Sequence, residues 1–224
     1  MTTLIGVSGP IGSGKTTFAK MLCDSLGNAA ILHFADTLKD ACAYAFAIGV
    51  ENFHDPKLKE LTFDCPMIVH ESDLKMLEAC YRPLYPFEFS EKVYQKFLGL
   101  RFETPRHLLQ VVGTDILRDC VNADIHVKAH RRRAQLLGTD YVIVPDVRFV
   151  NELDAVDQSY YIISSQAEAE MVRKSKNHVL HASEWALPYL KQNADIPVVN
   201  DGTLEDLTLK ARVLAQELQR SRYS

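Results

Sequence analysis

The sequence of 224 residues lacks the patterns that mark several classes of protein. Its five cysteines are scattered, with no C-x-x-C pair and no paired histidine spacing, which argues against a zinc site and for reduced thiols. The formal charge is −4, so the strong basicity that favours a nucleic-acid or membrane-surface partner is missing. No apolar run approaches the length of a transmembrane helix, and an apolar segment starts too early for a signal peptide. These absences predict a cytoplasmic protein whose partners are small molecules, with neither nucleic acid nor membrane among them.

The clearest positive signal is a phosphate-binding loop. Residues 9–16 read Gly-Pro-Ile-Gly-Ser-Gly-Lys-Thr, a complete G-x-x-x-x-G-K-[ST] motif. The apolar run Leu4–Val7 before it is typical of a buried parallel strand, and Thr17–Leu26 after it has apolar residues at helical spacing. Strand, loop and helix in this order predict a site for a nucleoside triphosphate.

Each residue type in the loop has a predicted task. Glycines let backbone N–H groups turn toward a polyphosphate, Lys15 is expected to reach the β- and γ-phosphates as a catalytic residue, and the Thr16 hydroxyl to bind Mg²⁺. The residues predicted to bind ATP are Gly9, Gly12, Ser13, Gly14, Lys15, Thr16 and Thr17. The predicted cofactors are therefore ATP and Mg²⁺.

Strands and helices alternate along most of the chain, which predicts an α/β protein with a parallel sheet flanked by helices. Together with the loop this indicates a P-loop NTPase fold over residues 1–224, taken as a single domain. Helices are expected from Asp36 to about Ile48 and, capped by Thr203, through Leu218. The further predicted strands are Ala30–Ala35, Tyr141–Val144, Tyr160–Ile163 and Ile196–Val199.

Residues 50–104 interrupt this alternation. They are rich in Pro, Phe and Tyr, with a short helical stretch near Glu91–Leu98. We interpret them as an insertion on the acceptor-binding side or as an oligomer contact, with a homodimer through Tyr81–Phe89 as the guess. A long loop with a small core of its own is an equally good interpretation.

Two carboxylates follow predicted strands, at the edge where open parallel sheets bind ligands. Asp146, after Tyr141–Val144, is expected to support Mg²⁺ together with Thr16; the alternative is a simple helix cap. Asp36 and Lys39 are three residues apart and so share a helix face, where they could orient and hold an acceptor phosphate. Their alternative is a helix cap beside a solvated lysine.

Residues 104–118 combine an apolar stripe with a polar face. Leu108, Leu109, Val112, Ile116 and Leu117 recur at helical spacing and are predicted core residues. Off that stripe, polar residues recur every four positions, which predicts one face of a helix. Arginine suits bidentate phosphate contact and glutamine can pair with a base edge, although a salt-bridged surface is the alternative. The residues of this face are Arg106, Gln110, Thr114 and Arg118.

Two segments near the C-terminus complete the predicted site. A basic, polar stretch at about residues 173–184 could close over the active site as a lid. It would bring Arg173, Lys174 or Lys176 over the transferring phosphoryl group. An ordinary exposed basic loop is the alternative. Asn200, Asp201 and Gly202 follow the last predicted strand, and we expect them to lie beside the adenine ring.

These segments together resemble the deoxynucleoside monophosphate kinases of tailed bacteriophages, within the adenylate-kinase-like group of P-loop kinases. The matching strings are Gly9–Thr16, Phe34–Lys39, Arg106–Arg118, Asp146–Glu152 and His181–Glu184. The resemblance implies transfer of the ATP γ-phosphoryl group to a dNMP, giving ADP and a dNDP. It also implies that Arg148 lies in the site and that residues 173–184 act as a lid. Two departures, His126 where relatives often have an aromatic residue and the segment 50–104, bear on base preference.

The prediction is therefore a nucleotide kinase. Its proposed catalytic residues are Lys15, Arg148 and Arg173, and its metal residues are Thr16 and Asp146. The residues predicted to bind the acceptor are Asp36, Lys39, Arg106, Gln110, Arg118 and Arg148. The alternatives are a P-loop kinase for another phosphorylated small molecule, such as phosphomevalonate or dephospho-coenzyme A, and a nucleotide-dependent switch without a small acceptor.

Overall fold

The computed structural model describes residues 2–175 and 186–222. The chain divides into two compact units, one made of residues 1–33 and 134–224 and the other of residues 34–133. The predicted segment 50–104 lies within the second unit, which begins earlier and ends later than that segment. The assignment of residues 1–224 to one domain stays a prediction.

The strands are β1 (Thr3–Ser8), β2 (Ala29–Ile31), β3 (Met67–Ile68), β4 (Arg101–Phe102), β5 (Tyr141–Val144), β6 (Gln158–Ile163) and β7 (Ile196–Val199). The helices before residue 120 are α1 (Lys15–Leu26), α2 (Asp36–Ala45), α3 (Glu51–His54), a 3₁₀ turn (Leu58–Glu60), α4 (Glu71–Tyr81), α5 (Glu91–Phe97), α6 (Pro105–Gln110) and a π-helix (Val111–Arg118). The later ones are α7 (Ile125–Leu136), α8 (Val150–Leu153), α9 (Ser165–Ser175), α10 (Leu187–Asn193) and α11 (Leu204–Arg222). No helix in this described part of the chain combines the length and the apolar character needed to span a membrane.

The first unit is built on a five-stranded parallel sheet in the order β2-β5-β1-β6-β7. A parallel sheet is covered on both faces, so its inner strands are continuously apolar, and all four residues of β5 are buried. Helices α1 and α11 cover one face, packing Phe18, Leu22 and Ala211 against the strands. The predicted α/β class is thus confirmed, with the phosphate loop after the central strand β1.

Strand β2 is shorter than predicted. The sequence indicates Ala30–Ala35, whereas the strand covers Ala29–Ile31 at one edge of the sheet, where it pairs with β5. The apolar residue Phe34 serves a different purpose, since its buried ring lies 4.5 Å from the ring of His130, centroid to centroid. Similarly, α2 ends at Ala45 instead of continuing to about Ile48, and Ala47 has a positive φ of 53°.

The second unit has its own apolar core, to which residues 50–104 contribute much. They form α3, α4, α5 and a two-stranded antiparallel sheet of β3 and β4, so the long-loop interpretation is wrong. Phe53, Leu74 and Phe102 are fully buried in this core with residues of α2 and of the π-helix. Tyr81 and Phe89 are buried there as well, which accounts for the aromatic character of the segment that suggested a dimer contact.

The predicted helix over residues 104–118 changes its winding. After α6, residues 111–118 form a π-helix, whose turns are wider than those of an α-helix. A Cβ at Gly113 would lie 2.7 Å from Leu38 Cδ2, and His126 Nε2 lies 3.0 Å from the Gly113 carbonyl oxygen. Burial lowers the pKa of His126 to about 4, so the neutral ring donates this hydrogen bond at neutral pH. The predicted apolar stripe is confirmed, since Leu108, Val112, Ile116 and Leu117 are fully buried and Leu109 is half-buried.

The packing beneath the loop yields a stability prediction. Phe18 of α1 is fully buried, and its ring meets Tyr160 of β6 edge-on with centroids 5.7 Å apart. Phe18→Ala should lower the free energy of unfolding by about 3–5 kcal/mol, because it leaves a cavity. Urea denaturation followed by circular dichroism measures the loss. Leu209→Ala, at a side chain that is 63% exposed, is the control, and equal small losses in both variants would contradict the prediction.

Candidate active site

The phosphate loop joins the carboxyl end of β1 to α1. Gly12 and Gly14 have φ values of 82° and 94°, in the left-handed region that glycine adopts without a steric penalty. Ser13 between them is fully buried, and its backbone N–H donates to the Pro10 carbonyl at 3.2 Å. The loop is therefore a tight turn at the N-terminus of a helix, an arrangement that binds anions.

Lys15 is held at this loop. Its ammonium group donates to the carbonyl oxygens of Gly9 at 2.9 Å and Pro10 at 2.8 Å. Burial lowers the pKa of Lys15, the nearby carboxylate of Asp146 raises it, and the Arg148 guanidinium lowers it. Three of the predicted site residues, Lys15, Asp146 and Arg148, thus form one electrostatic cluster in the first unit.

Asp146 and Arg148 form an ion pair within this cluster. Asp146 Oδ2 accepts from Arg148 Nε at 2.7 Å and from Nη2 at 2.5 Å. The helix-cap interpretation of Asp146 is wrong, since the cap of α8 comes from Glu152, whose Oε2 accepts from the Arg148 and Phe149 backbone N–H groups at 2.8 and 3.2 Å. The Val147 backbone N–H donates to the Val7 carbonyl at 3.0 Å and fixes this segment beside β1.

The chemistry of the available donors fits Mg²⁺. Asp146 follows β5, the neighbour of β1, with a third of its side chain exposed, and the exposed Thr16 lies in the first turn of α1. In the described part of the chain there is no cluster of three or more Asp, Glu, His or Cys side chains that could enclose a metal. Mg²⁺ typically binds one or two protein oxygens, completing its shell with water and substrate phosphates. Thr16 and Asp146 are the residues that would hold it.

Asp36 and Lys39 lie together in the second unit, on the first turns of α2. Lys39 Nζ is 3.3 Å from Asp36 Oδ1, which confirms that the two share a helix face. Their side chains are only 15% and 14% exposed, so the alternative of a solvated lysine is wrong. A cation held in a mostly buried position is suited to a fixed anionic ligand, because little side-chain entropy remains to be lost.

The predicted polar face of residues 106–118 is exposed along most of its length. Gln110 and Thr114 face solvent, Arg118 is half-buried, and Arg106 forms an ion pair with Glu60. Because the π-helix has wider turns, residues four apart no longer align after residue 111, so Arg118 is displaced from the row that α-helical spacing predicted.

The predicted lid, residues of about 173–184, falls largely outside the described residues. Arg173 is exposed near the end of α9, whereas residues 176–184 of the predicted lid and the side chain of Lys174 are not described.

The residues after the last strand bind two other parts of the first unit. Asp201 accepts from the backbone N–H and hydroxyl of Ser165, at 2.7 and 2.8 Å, where α9 begins. Asn200 contacts the phosphate loop through Ser13, which sequence analysis missed although Asn200 was singled out as following the last strand.

A parallel sheet with a phosphate loop between its central strand and the first helix, and a lysine at the first position of that helix, is a P-loop NTPase fold. A dephospho-CoA kinase from Campylobacter jejuni has a similar fold, with a TM-score of 0.50. It is 16% identical in sequence, and the match covers 99% of this chain and 100% of that one. The predicted P-loop NTPase fold is confirmed.

Sequence comparison identifies the family. The model of the deoxynucleotide monophosphate kinase family matches residues 99–211. A putative deoxynucleotide monophosphate kinase of Acanthamoeba polyphaga mimivirus is 29% identical over 215 residues, covering 91% of both chains. The deoxynucleotide monophosphate kinase of Enterobacteria phage T4 is 26% identical over 243 residues, covering 93% of this chain and 97% of its own. The chain belongs to the deoxynucleotide monophosphate kinase family.

Membership confirms the main functional prediction: the protein is an ATP-dependent kinase that acts on deoxynucleoside monophosphates. The family match favours this function over the two alternatives, a kinase for phosphomevalonate or dephospho-coenzyme A and a nucleotide-dependent switch. The resemblance to phage enzymes, drawn from short strings alone, is confirmed by matches that span most of the chain.

The electrostatic cluster yields a prediction about Lys15. Asp146→Asn removes a neighbouring negative charge and should lower the pKa of Lys15 further, whereas Arg148→Gln removes a positive charge and should raise it. The titration of the Lys15 side-chain ammonium, followed by NMR, measures both shifts, and Lys15→Arg assigns the signal. Titration curves unchanged from wild type in both variants would show that the three charges do not interact.

Proposed function

We propose that the phosphate loop binds ATP through the backbone of residues 9–17 and that Lys15 contacts its β- and γ-phosphates. The observation that carries this proposal is the position of Lys15, held at the loop by two backbone carbonyls and surrounded by Asp146 and Arg148. An ammonium group partly removed from water interacts more strongly with a polyphosphate than one in bulk solvent. Thr16 and Asp146 would hold Mg²⁺, which would supply charge neutralisation to the phosphates of the nucleotide.

The reaction needs little proton chemistry from the protein. An oxygen of the acceptor monophosphate forms a bond to the γ-phosphorus, the bond from that phosphorus to the β-bridging oxygen breaks, and ADP leaves with the electron pair. The acceptor phosphate is already ionised, so positioning and charge neutralisation carry most of the catalysis. We assign the stabilisation of the transferring phosphoryl group to three cations, Lys15, Arg148 and Arg173.

For the acceptor we propose contacts in the second unit. Lys39 and Arg118 are cations of α2 and of the π-helix, and both are at most half-exposed, which favours strong interaction with a phosphate. Asp36 orients Lys39, and Gln110 has the donor and acceptor needed to pair with a base edge. Arg106 would have to exchange its partner Glu60 for the acceptor.

The wider setting follows from this chemistry. ATP and deoxynucleotides are soluble metabolites, so we propose that the enzyme acts in the cytoplasm of the host cell and binds nucleotides as its only substrates.

A homodimer through residues 81–89 would have to use their exposed side chains, Arg82, Pro83, Pro86 and Glu88, because Tyr81 and Phe89 are buried. Light scattering at high protein concentration tests it.

The loop assignment predicts a large and specific loss in Lys15→Ala. We expect kcat to fall at least about a hundredfold, because a preorganised charge on the transferring phosphoryl group is removed, while the protein stays folded. A coupled ADP-release assay with each of the four dNMPs measures the loss. Lys20→Ala, on an exposed position of the same helix, should keep wild-type turnover. Near-normal turnover of Lys15→Ala would contradict the assignment.

The acceptor assignment predicts a split between the two substrates. Lys39→Ala should raise the KM for dNMP about tenfold or more and leave the KM for ATP nearly unchanged, since a charge-assisted hydrogen bond to the acceptor is lost. Lys75→Ala is the control, because it breaks an ion pair of α4 whose two side chains are more than half exposed. A rise of both KM values to the same extent would speak against the acceptor role.

A further inference from the structure

Asn200 connects the end of the last strand to the phosphate loop. Its backbone N–H donates to the Ile163 carbonyl at 2.7 Å, which continues the pairing of β6 and β7 by one residue. Its side-chain Nδ2 donates to the Ser13 carbonyl at 2.8 Å. The backbone of Asn200 is thus fixed by the sheet, and its half-buried amide reaches a loop that is 187 residues away in sequence.

This contact sets the orientation of one peptide group. In a trans peptide the C=O and the following N–H point in opposite directions, and the described chain contains no cis peptide bond. Because the Ser13 carbonyl points at Asn200, the N–H of Gly14 points away from it. Gly14 is the N-cap of α1, whose first N–H groups have no carbonyl within the helix to bind. The contact with Asn200 therefore leaves the Gly14 N–H pointing away from Asn200, at the opposite edge of the same planar peptide group.

The packing around Gly14 supports a specific fit. Gly14 has φ 94°, and a Cβ at this residue would lie 2.5 Å from Asn200 Nδ2. The amide therefore occupies the space that any side chain at position 14 would need. This glycine has two functions: it adopts the left-handed backbone, and it admits the side chain that orients its own peptide group.

We propose that Asn200 is a positioning residue of the nucleotide site, which holds the Ser13–Gly14 peptide so that the Gly14 N–H is preoriented for a nucleotide phosphate. The proposal rests on the proposed binding of ATP at the loop. A donor oriented in advance binds an anion more tightly, because its reorganisation does not have to accompany binding. Asn200 acts through the loop backbone and makes no contact with the phosphate itself.

The test compares two variants of Asn200 with a matched control. Asn200→Ala should raise the Kd of ADP about tenfold, the effect of losing one orienting hydrogen bond. Asn200→Asp keeps the size of the side chain but replaces the donor by an acceptor, so its Kd should rise further. Asn193→Ala removes an equivalent amide-to-carbonyl bond of 2.8 Å, to Tyr189, on the surface of α10. It should leave the Kd unchanged.

Isothermal titration with ADP and steady-state kinetics give separate readouts. With ATP saturating, the KM for dNMP should stay within about twofold of wild type in both Asn200 variants. In the nucleotide-free protein, the NMR signal of the Gly14 amide in these variants should be shifted from its wild-type position. If Asn200→Ala does not fold, the isosteric Asn200→Asp carries the test. Wild-type affinity for ADP in a folded Asn200 variant, or an equal loss in Asn193→Ala, would overturn the proposal. A wild-type protein that binds ADP but phosphorylates no dNMP would contradict the proposed function and leave the ADP comparison intact.

Discussion

The structure depends on a backbone constraint at the phosphate loop. A chain of L-amino acids can turn successive N–H groups toward one anion only if some residues adopt positive φ, and here Gly12 and Gly14 do so. The turn has to begin at a fixed point, which the buried strand β1 provides at the centre of the sheet. It has to end in a helix, and α1 is fixed by Phe18 and Leu22 in the core beneath it. The sheet and its covering helices can be understood as the support for this one turn.

Around the loop, charge is arranged so that each ionised group has a partner. Lys15 is held by backbone carbonyls, while Asp146 is paired with Arg148. Such a cluster avoids the high cost of isolated charges in partly buried positions. It also keeps two cations and one carboxylate within range of one another, so that a change in the charge of Asp146 or Arg148 alters the proton affinity of Lys15. A tetra-anionic nucleotide entering this region would meet groups that are already oriented.

Local sequence patterns were sufficient for the parts of the fold that are determined locally. The loop, β1, β5, β7 and the Thr203 cap of α11 follow from motif, apolar runs and capping chemistry, and Thr203 indeed forms reciprocal hydrogen bonds with Asp206. What the sequence did not show depends on distant partners. The π-helix arises where Gly113 meets Leu38 and His126, and the contact of Asn200 with Ser13 joins opposite ends of the chain. Periodicity contains no information on such pairs. Proline-rich composition concealed α3 and α4, whereas the helical stretch predicted near Glu91–Leu98 is present as α5.

The π-helix has a consequence for how this enzyme can change by insertion and deletion. Successive residues of an α-helix are separated by about 100° around its axis, so loss of one residue from an α-helix alters the rotational phase of everything after it. The wider turns of Val111–Arg118 contain more residues for the same rotation, so loss of one residue there can be absorbed by reversion to α-helical winding. Arg118 and the chain after it would then keep their direction. A single codon could therefore be lost from this segment with little effect on the packing that follows it.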